Sequence, residues 1–331
     1  MNRIQQWSVI GCTGLSLALS ACSKPAEQPH GNAQAASQPK TELKTLSIGF
    51  QKYGLLPIVK ARGDLEKTLQ AQGVQVKWVE FPAGPQLLEG LNVGSVVIGE
   101  SGEAPPIFAQ AASANLVYVA NQPAAPQAEA LIVPKTSNIH SIQQLKGKRI
   151  ALNKGSNVHY LLLKVLEANH LSLNDIQVVY LPPADARAAF EKGAVDAWVI
   201  WDPFFAAAQQ QLGARVLSTG QNLVSNHQFY LADRKFAQNN PQVFNTVVKE
   251  LNQTTEWVKT HQDEAAKLLE KPTGLDYGVL KTSISRMGFG VTPISKQVIA
   301  EQQQVADAFY QQKLIPNQIH IQDAILSAPT K

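Results

Sequence analysis

Residues 149–169, RIALNKGSNVHYLLLKVLEAN, pass from strand to helix through a short turn, and this junction limits the folds open to the chain. Residues 149–153 suit a buried strand, while Val158, Leu161, Leu162, Val165 and Leu166 recur at the three-and-four spacing of one helix face. Gly155 can turn the backbone without a Cβ clash, and Ser156 or Asn157 can cap a helix whose first N–H groups lack an internal partner. Such a turn is either an ordinary capped junction or a seat for an anion. A second junction favours the seat. Residues 95–99 (SVVIG) read as a strand, Glu100, Ser101, Gly102 and Glu103 as a turn, and residues 104–113 as a helix with Pro105 and Pro106 in its first turn. Each half of the chain thus offers one helix N-terminus able to accept an anion. The 149–169 turn is not a phosphate-binding P-loop, because Lys154 precedes Gly155 and the residue five places before Gly155 is Ile150.

The same alternation runs through most of the chain. Residues 45–50, 74–81, 95–99 and 116–121 read as strands, with helices at 55–72, 84–92 and 104–113 between them. After a strand-like run at 129–134 the order begins again, with strands at 149–153, 176–181, 194–201 and 214–218 and helices at 157–169, 184–191 and 203–211. A run at 229–233 follows, and then only helices, at 241–260, 262–269, 276–287 and 295–312. Strand and helix alternation implies an α/β fold with mostly parallel sheets covered on both faces. Two such units suggest two lobes: residues 45–129 with 232–331, on which the final helices pack, and residues 130–231. The chain then crosses between lobes twice, which makes a hinge, and the cleft between lobes suits a small ligand.

Residues 1–21 carry an early basic residue, an apolar stretch and small residues at the end, the pattern of a secretory signal. Leu19, Ser20, Ala21 and Cys22 match a bacterial lipobox, so Cys22 is expected to carry a lipid anchor. Residues 22–44 are rich in Ala, Gln, Pro and Ser and read as a disordered tether. Cys12 and Cys22 are the sole cysteines, which excludes a disulfide, a thiolate metal site and a cysteine nucleophile from the folded part. The net charge of +4 comes without a basic block, which argues against nucleic acid as a partner. The seven histidines show no HExxH spacing, and neither metal nor cofactor is expected.

The segments QKYG at 51–54, EFPAGPQ at 80–86, SGEAPP at 101–106, ALNKGSNVHY at 151–160, PPADARAAF at 182–190 and WVIWDP at 198–203 resemble the aliphatic sulfonate-binding proteins of ABC importers. The resemblance spans roughly residues 45–320. It implies a type II periplasmic binding-protein fold, two lobes on a two-stranded hinge, that closes on an organosulfonate and delivers it to a membrane permease. It implies a periplasmic location, and the wider group of these binders also includes receptors for taurine, nitrate and bicarbonate. A desulfinase resembles these binders too, but such an enzyme looks to need a cysteine nucleophile, which the folded part lacks, so no enzymatic activity is expected. A monomer is expected. Cys22 is a departure, since many relatives are free in the periplasm.

A sulfonate offers acceptor oxygens and no proton, so its receptor needs donors. The amides and hydroxyls of Ser101, Gly102, Ser156 and Asn157 are assigned to the headgroup. For each residue alone, helix capping fits as well; their pairing across two lobes favours the ligand. Gln51 and Lys52 follow the first strand at the carboxyl edge where open α/β sheets place ligands. Gln51 is expected to donate, while Lys52 either adds charge to the site or stays solvated. Trp198 and Trp201 point opposite ways along one strand, and Trp201, beside the turn, is expected to cover the ligand's alkyl part. Asp202 reads as a helix cap before Pro203, or as the partner of a ligand amine. Glu103 raises the same alternative, and Glu129, at a crossing, either pairs across the lobes or is solvated. His159 and Tyr160 either donate to the ligand or pack on the sheet.

Overall fold

The computed structural model describes residues 43–326. The signal at 1–21, the anchor Cys22 and most of the tether at 22–44 therefore lie outside the described residues. The chain forms β1 (Thr45–Phe50), α1 (Leu56–Arg62), α2 (Asp64–Gln70), β2 (Gln75–Glu80), α3 (Gly84–Asn92), β3 (Ile98–Gly102), α4 (Ala104–Ala111) and β4 (Leu116–Asn121). Next come β5 (Glu129–Val133), β6 (Arg149–Leu152), α5 (Asn157–Ala168), β7 (Gln177–Tyr180), α6 (Pro183–Glu191), β8 (Ala197–Trp201), α7 (Phe204–Leu212) and β9 (Arg215–Thr219). β10 (Gln228–Asp233) precedes α8 (Arg234–Asn239), α9 (Pro241–Thr260), α10 (Gln262–Thr273), α11 (Tyr277–Ser285) and α12 (Lys296–Gln311).

The strands build two five-stranded sheets, ordered β2-β1-β3-β10-β4 and β7-β6-β8-β5-β9. In each, four strands run one way and the strand in fourth place, β10 or β5, runs against its neighbours. β5 and β10 are also the first strands after the chain has passed from one sheet to the other, through residues 122–128 and 220–227. Both crossings therefore fall earlier than the sequence suggests. Glu129 already pairs with Trp201 in the second sheet, and Gln228 to Leu231 already pair in the first. A strand-like run carries no mark of the sheet it will join.

Helices cover both faces of each sheet. On the first, α1, α2, α9 and α10 pack Ile58, Leu65, Val247, Val258 and Leu269 with Leu46 and Ile48, while α3, α4 and α12 enclose Tyr118 and Phe229 on the other face. On the second sheet, α5 supplies Val158, Leu161, Leu162, Val165 and Leu166, and α6 and α7 bring Phe190 and Phe205 to Trp198. Each of those five α5 side chains is worth roughly 1.5–3 kcal/mol on burial, which fixes where the helix begins.

Three local readings are corrected. The expected helix at 55–72 is broken at Gly63, whose φ of 72° is a left-handed stop that ends α1. The third strand lies at Ile98–Gly102 rather than 95–99, because β10 pairs Gly102 with Gln228, Ser101 with Phe229 and Glu100 with Tyr230. Pairing with a distant strand overrides the turn-like composition of these residues. α8 has no counterpart in the sequence reading; Asp233 caps it by accepting the Phe236 N–H at 2.7 Å.

Candidate functional site

The carboxyl ends of the two sheets face each other across a cleft of about 390 Å³, counting its open mouth. Gln51, Gly102 and Pro105 line it from the first sheet's side; Ser156, Asn157 and Trp201 line it from the second. α4 and α5 both begin there, so two sets of helix-terminal N–H groups converge. The two starts are already linked. Asn157 Oδ1 accepts the Ala104 N–H at 3.2 Å, and Asn157 Nδ2 donates to Asn226 Oδ1 at 2.5 Å. Gly102 permits this approach, since a Cβ there would lie 2.2 Å from the Asn157 carboxamide.

Side chains around the cleft have spare hydrogen-bonding capacity. The Ser101 hydroxyl is fully buried without a partner and does not line the cleft; that of Tyr53, which does, is likewise buried without a partner. Gln51 Nε2 donates one bond, to the Glu100 carbonyl at 3.1 Å. Ser156 Oγ donates to the Asn153 carbonyl at 2.7 Å, so the Ser156 hydroxyl proton is used in shaping the turn. Trp201 stands half-buried at the end of β8 while Trp198 is core, the division expected from their spacing.

A third helix start is closed to ligands by the chain itself. The Glu100 carboxylate accepts the N–H groups of Leu55 and Leu56 at the head of α1 and a 2.6 Å bond from Gln122 Nε2. Burial raises its pKa to about 7, against these hydrogen bonds. Gly54 has φ 101°, and a Cβ on it would sit 2.1 Å from Glu100 Oε1. No local sequence signal predicts this carboxylate cap, which spans 45 residues.

Six expected site residues do not line the cleft: Ser101, buried beneath it, and Lys52, Glu103, Glu129, His159 and Asp202. Lys52 Nζ donates to the Thr273 carbonyl at 2.9 Å and borders a separate groove with Pro57 and Pro272. His159 is fully buried against Tyr180 and Phe309; burial, then the charge of Lys154, lowers its pKa to about 4, so it is neutral. Asp202 is fully buried, accepts the Ala206 N–H at 2.9 Å and pairs with Arg286 at 3.3 Å, so its partner is an arginine rather than a ligand amine. The helix after it starts at Phe204, with Pro203 as the preceding cap. Glu129 neither pairs across the lobes nor reaches solvent: both carboxylate oxygens are buried without a partner, and burial pushes its pKa well up. Glu103 accepts the His227 N–H at 3.1 Å and lines a different cavity. The sequence reading missed Tyr53, Gly84, Pro105, Asn226 and Gln228 as cleft residues. Gly84 is needed because a Cβ would approach Ser101 Oγ to 2.4 Å. Among the described residues no cluster of three His, Cys, Asp or Glu fits a metal ion.

The NMT1/THI5-like family profile matches residues 69–265. The alkanesulfonate-binding protein SsuA from Xanthomonas axonopodis pv. citri, solved bound to MOPS, superposes with a TM-score of 0.83 at 42% identity, covering 87% of this chain and 99% of that one. The periplasmic aliphatic sulphonate-binding protein SsuA from Escherichia coli superposes with a TM-score of 0.78 at 40% identity, covering 88% of this chain and 94% of that one. A Bacillus subtilis (strain 168) relative, provisionally named an aliphatic sulfonates-binding protein, is 33% identical over 295 residues, 88% of this chain and 89% of its own length. Two five-stranded sheets with flanking helices are the architecture of the periplasmic binding proteins, and the relatives of highest identity named here are binding proteins, not enzymes. Fold, helix-lined cleft and kinship converge: this chain belongs to the aliphatic sulfonate-binding proteins of the NMT1/THI5-like family.

Proposed function

We propose that this chain captures an aliphatic sulfonate between its two lobes outside the cytoplasm and hands it to an ABC permease for sulfur acquisition. The observation that carries this reading is a cleft where helix starts from both sheets meet and every lining side chain is neutral. A sulfonate is ionised at physiological pH and presents three acceptors but no proton. Fixed N–H donors match that anion without the cost of desolvating a counter-charge. The Xanthomonas relative was solved with MOPS, itself a sulfonate.

In this reading the first amides of α4 and α5, with Gln51, grip the headgroup. The Trp201 ring lies against the alkyl chain. Residues 45–121 with 228–326 form one lobe, residues 129–219 the other, and the two crossings bend as the hinge. Closure follows from contacts that the ligand makes only in the shut state, and the permease reads that state. Residues 1–21 direct export, and lipidation at Cys22 with the tether behind it holds a monomeric receptor at the membrane.

Calorimetric titration of the mature chain with ethanesulfonate, longer alkanesulfonates, taurine, sulfate and nitrate tests the ligand class. Tight binding to an alkanesulfonate is expected; tight binding to nitrate alone would refute the assignment and leave the fold untouched. The anchor is tested separately, by incorporation of labelled fatty acid that disappears in Cys22→Ala.

A further inference from the structure

β10 opens at Gln228, which pairs in register with Gly102, the last residue of β3. Directly opposed residues of an antiparallel pair hold their Cβ positions about 5 Å apart on one face of the sheet. Gly102 has no Cβ, and the place one would take is filled by the Asn157 carboxamide, 2.2 Å from it. The Gln228 side chain therefore leaves the sheet beside that carboxamide, where α4 and α5 both begin. The two amides differ in state. Asn157 is held at both ends, by the Ala104 N–H and by Asn226 Oδ1. Gln228 lines the cleft and is only 8% exposed, yet its carboxamide makes no hydrogen bond to any described residue. Neither its Oε1 nor its Nε2 is sealed inside the protein, as the Ser101 hydroxyl is. A largely buried amide that opens on a cavity without a protein partner is completed by what fills the cavity.

We propose that Gln228 is a headgroup-binding residue, its Nε2 donating to a sulfonate oxygen seated at the α4 and α5 starts. The assignment rests on the sulfonate reading of the cleft and adds to it a side-chain donor. Helix N–H groups are fixed in direction, whereas a carboxamide on a flexible stem turns to the oxygen that they leave unbound. An uncharged amide supplies that donor without burying a counter-charge beside the ligand. Because the carboxamide has no protein partner to give up, binding the anion costs the fold nothing.

Calorimetric titration of the full mature chain with methanesulfonate and hexanesulfonate at pH 8 tests this, in the parent, Gln228→Met and Gln228→Glu. Methionine keeps the length of the side chain and removes its N–H donors; ionised glutamate keeps the shape and turns the donor into an acceptor. Gln228→Met should weaken both sulfonates at least tenfold and by the same factor, since the head is common to both. Its melting temperature should stay within a few degrees of the parent, because no bond within the protein is lost. Gln228→Glu should weaken both at least a hundredfold. If the parent binds neither sulfonate, the reading of the cleft and the role of Gln228 fall together. If the parent binds, three results would remove Gln228 from the headgroup and leave the sulfonate reading standing: affinity within twofold in Gln228→Met, a loss confined to hexanesulfonate, or parent-like binding in Gln228→Glu. A melting temperature that dropped along with the affinity would make the residue structural and overturn the proposal as well.

Discussion

Asn157 of α5 accepts, at 3.2 Å, a hydrogen bond from the Ala104 N–H that opens α4, so a side chain from one sheet caps a helix of the other. The donor it occupies is one that an anion in the cleft would use. With the headgroup seated as proposed, a bound anion and the Asn157 carboxamide would compete for this N–H group.

Gly102→Ala tests that geometry. The added methyl would lie 2.2 Å from the Asn157 carboxamide, a contact that forces the side chain off its position. Relief requires a rotation of Asn157 or a wider cleft, and neither disrupts the sheet. Sulfonate affinity measured by calorimetry should fall at least tenfold, about 1.4 kcal/mol, while the melting temperature stays within a few degrees of the parent.

Arg286→Met addresses the ion pair between Arg286, which follows α11, and Asp202, which follows β8. Arg286 reaches Asp202 at 3.3 Å and Gln209 at 2.6 Å, and its guanidinium lies over the Phe205 ring. Burial pushes Asp202 up to about 6 against the arginine's opposing pull. With the arginine gone, a fully buried carboxylate loses its counter-charge, at a cost of roughly 3–5 kcal/mol. Urea unfolding should show that loss at pH 8 and a smaller one at pH 5, where Asp202 accepts a proton.

Glu100 and Glu103 make stability depend on pH with an unusual sign. Burial raises both to about 7, above the ordinary carboxylate value of the unfolded chain. Between those limits the folded protein binds more protons, so stability is greatest below the unfolded value and is lost as pH rises through 7. Asp64, Asp175, Asp196 and Asp263 are shifted the other way, but their contribution is complete by pH 5; buried His159, lowered to about 4, gains stability as pH rises through the unfolded imidazole value and offsets part of the decline below pH 7. Urea unfolding should show the parent losing roughly 1–3 kcal/mol per buried group from pH 5 to 8. Glu103→Gln should flatten the slope, and an unchanged slope would contradict the assignment.

The helix starts at 104 and 157 were legible because prolines, a glycine turn and an N-cap residue leave a local signature. The alternation of strands and helices gave the two-sheet architecture for the same reason. What stayed hidden depends on distant segments. Lys52 is bound by a carbonyl 221 residues away, and Asp202 by an arginine 84 residues on. Whether Glu103 faces the cleft or the second cavity turns on the path of residues 222–227, a crossing with no periodicity to read. Asn226, which accepts from Asn157 Nδ2 and has φ 50°, sits in that same crossing.

Trp201 provides a test of how the ligand lies. It stands at the cleft end of β8, opposite Glu129 in register and edge-on to Phe204, with Tyr53 and Pro105 lining the same cleft. A headgroup seated at the α4 and α5 starts leaves the alkyl tail to this aromatic surface. Covering a few methylenes contributes about 1–2 kcal/mol, and the gain grows with chain length. Trp201→Ala should therefore weaken a six-carbon alkanesulfonate about tenfold and methanesulfonate less than threefold. In the parent, ligand binding should shift tryptophan emission, and Trp201→Phe should abolish the shift while retaining most of the affinity. Equal losses for short and long chains would place the tail elsewhere.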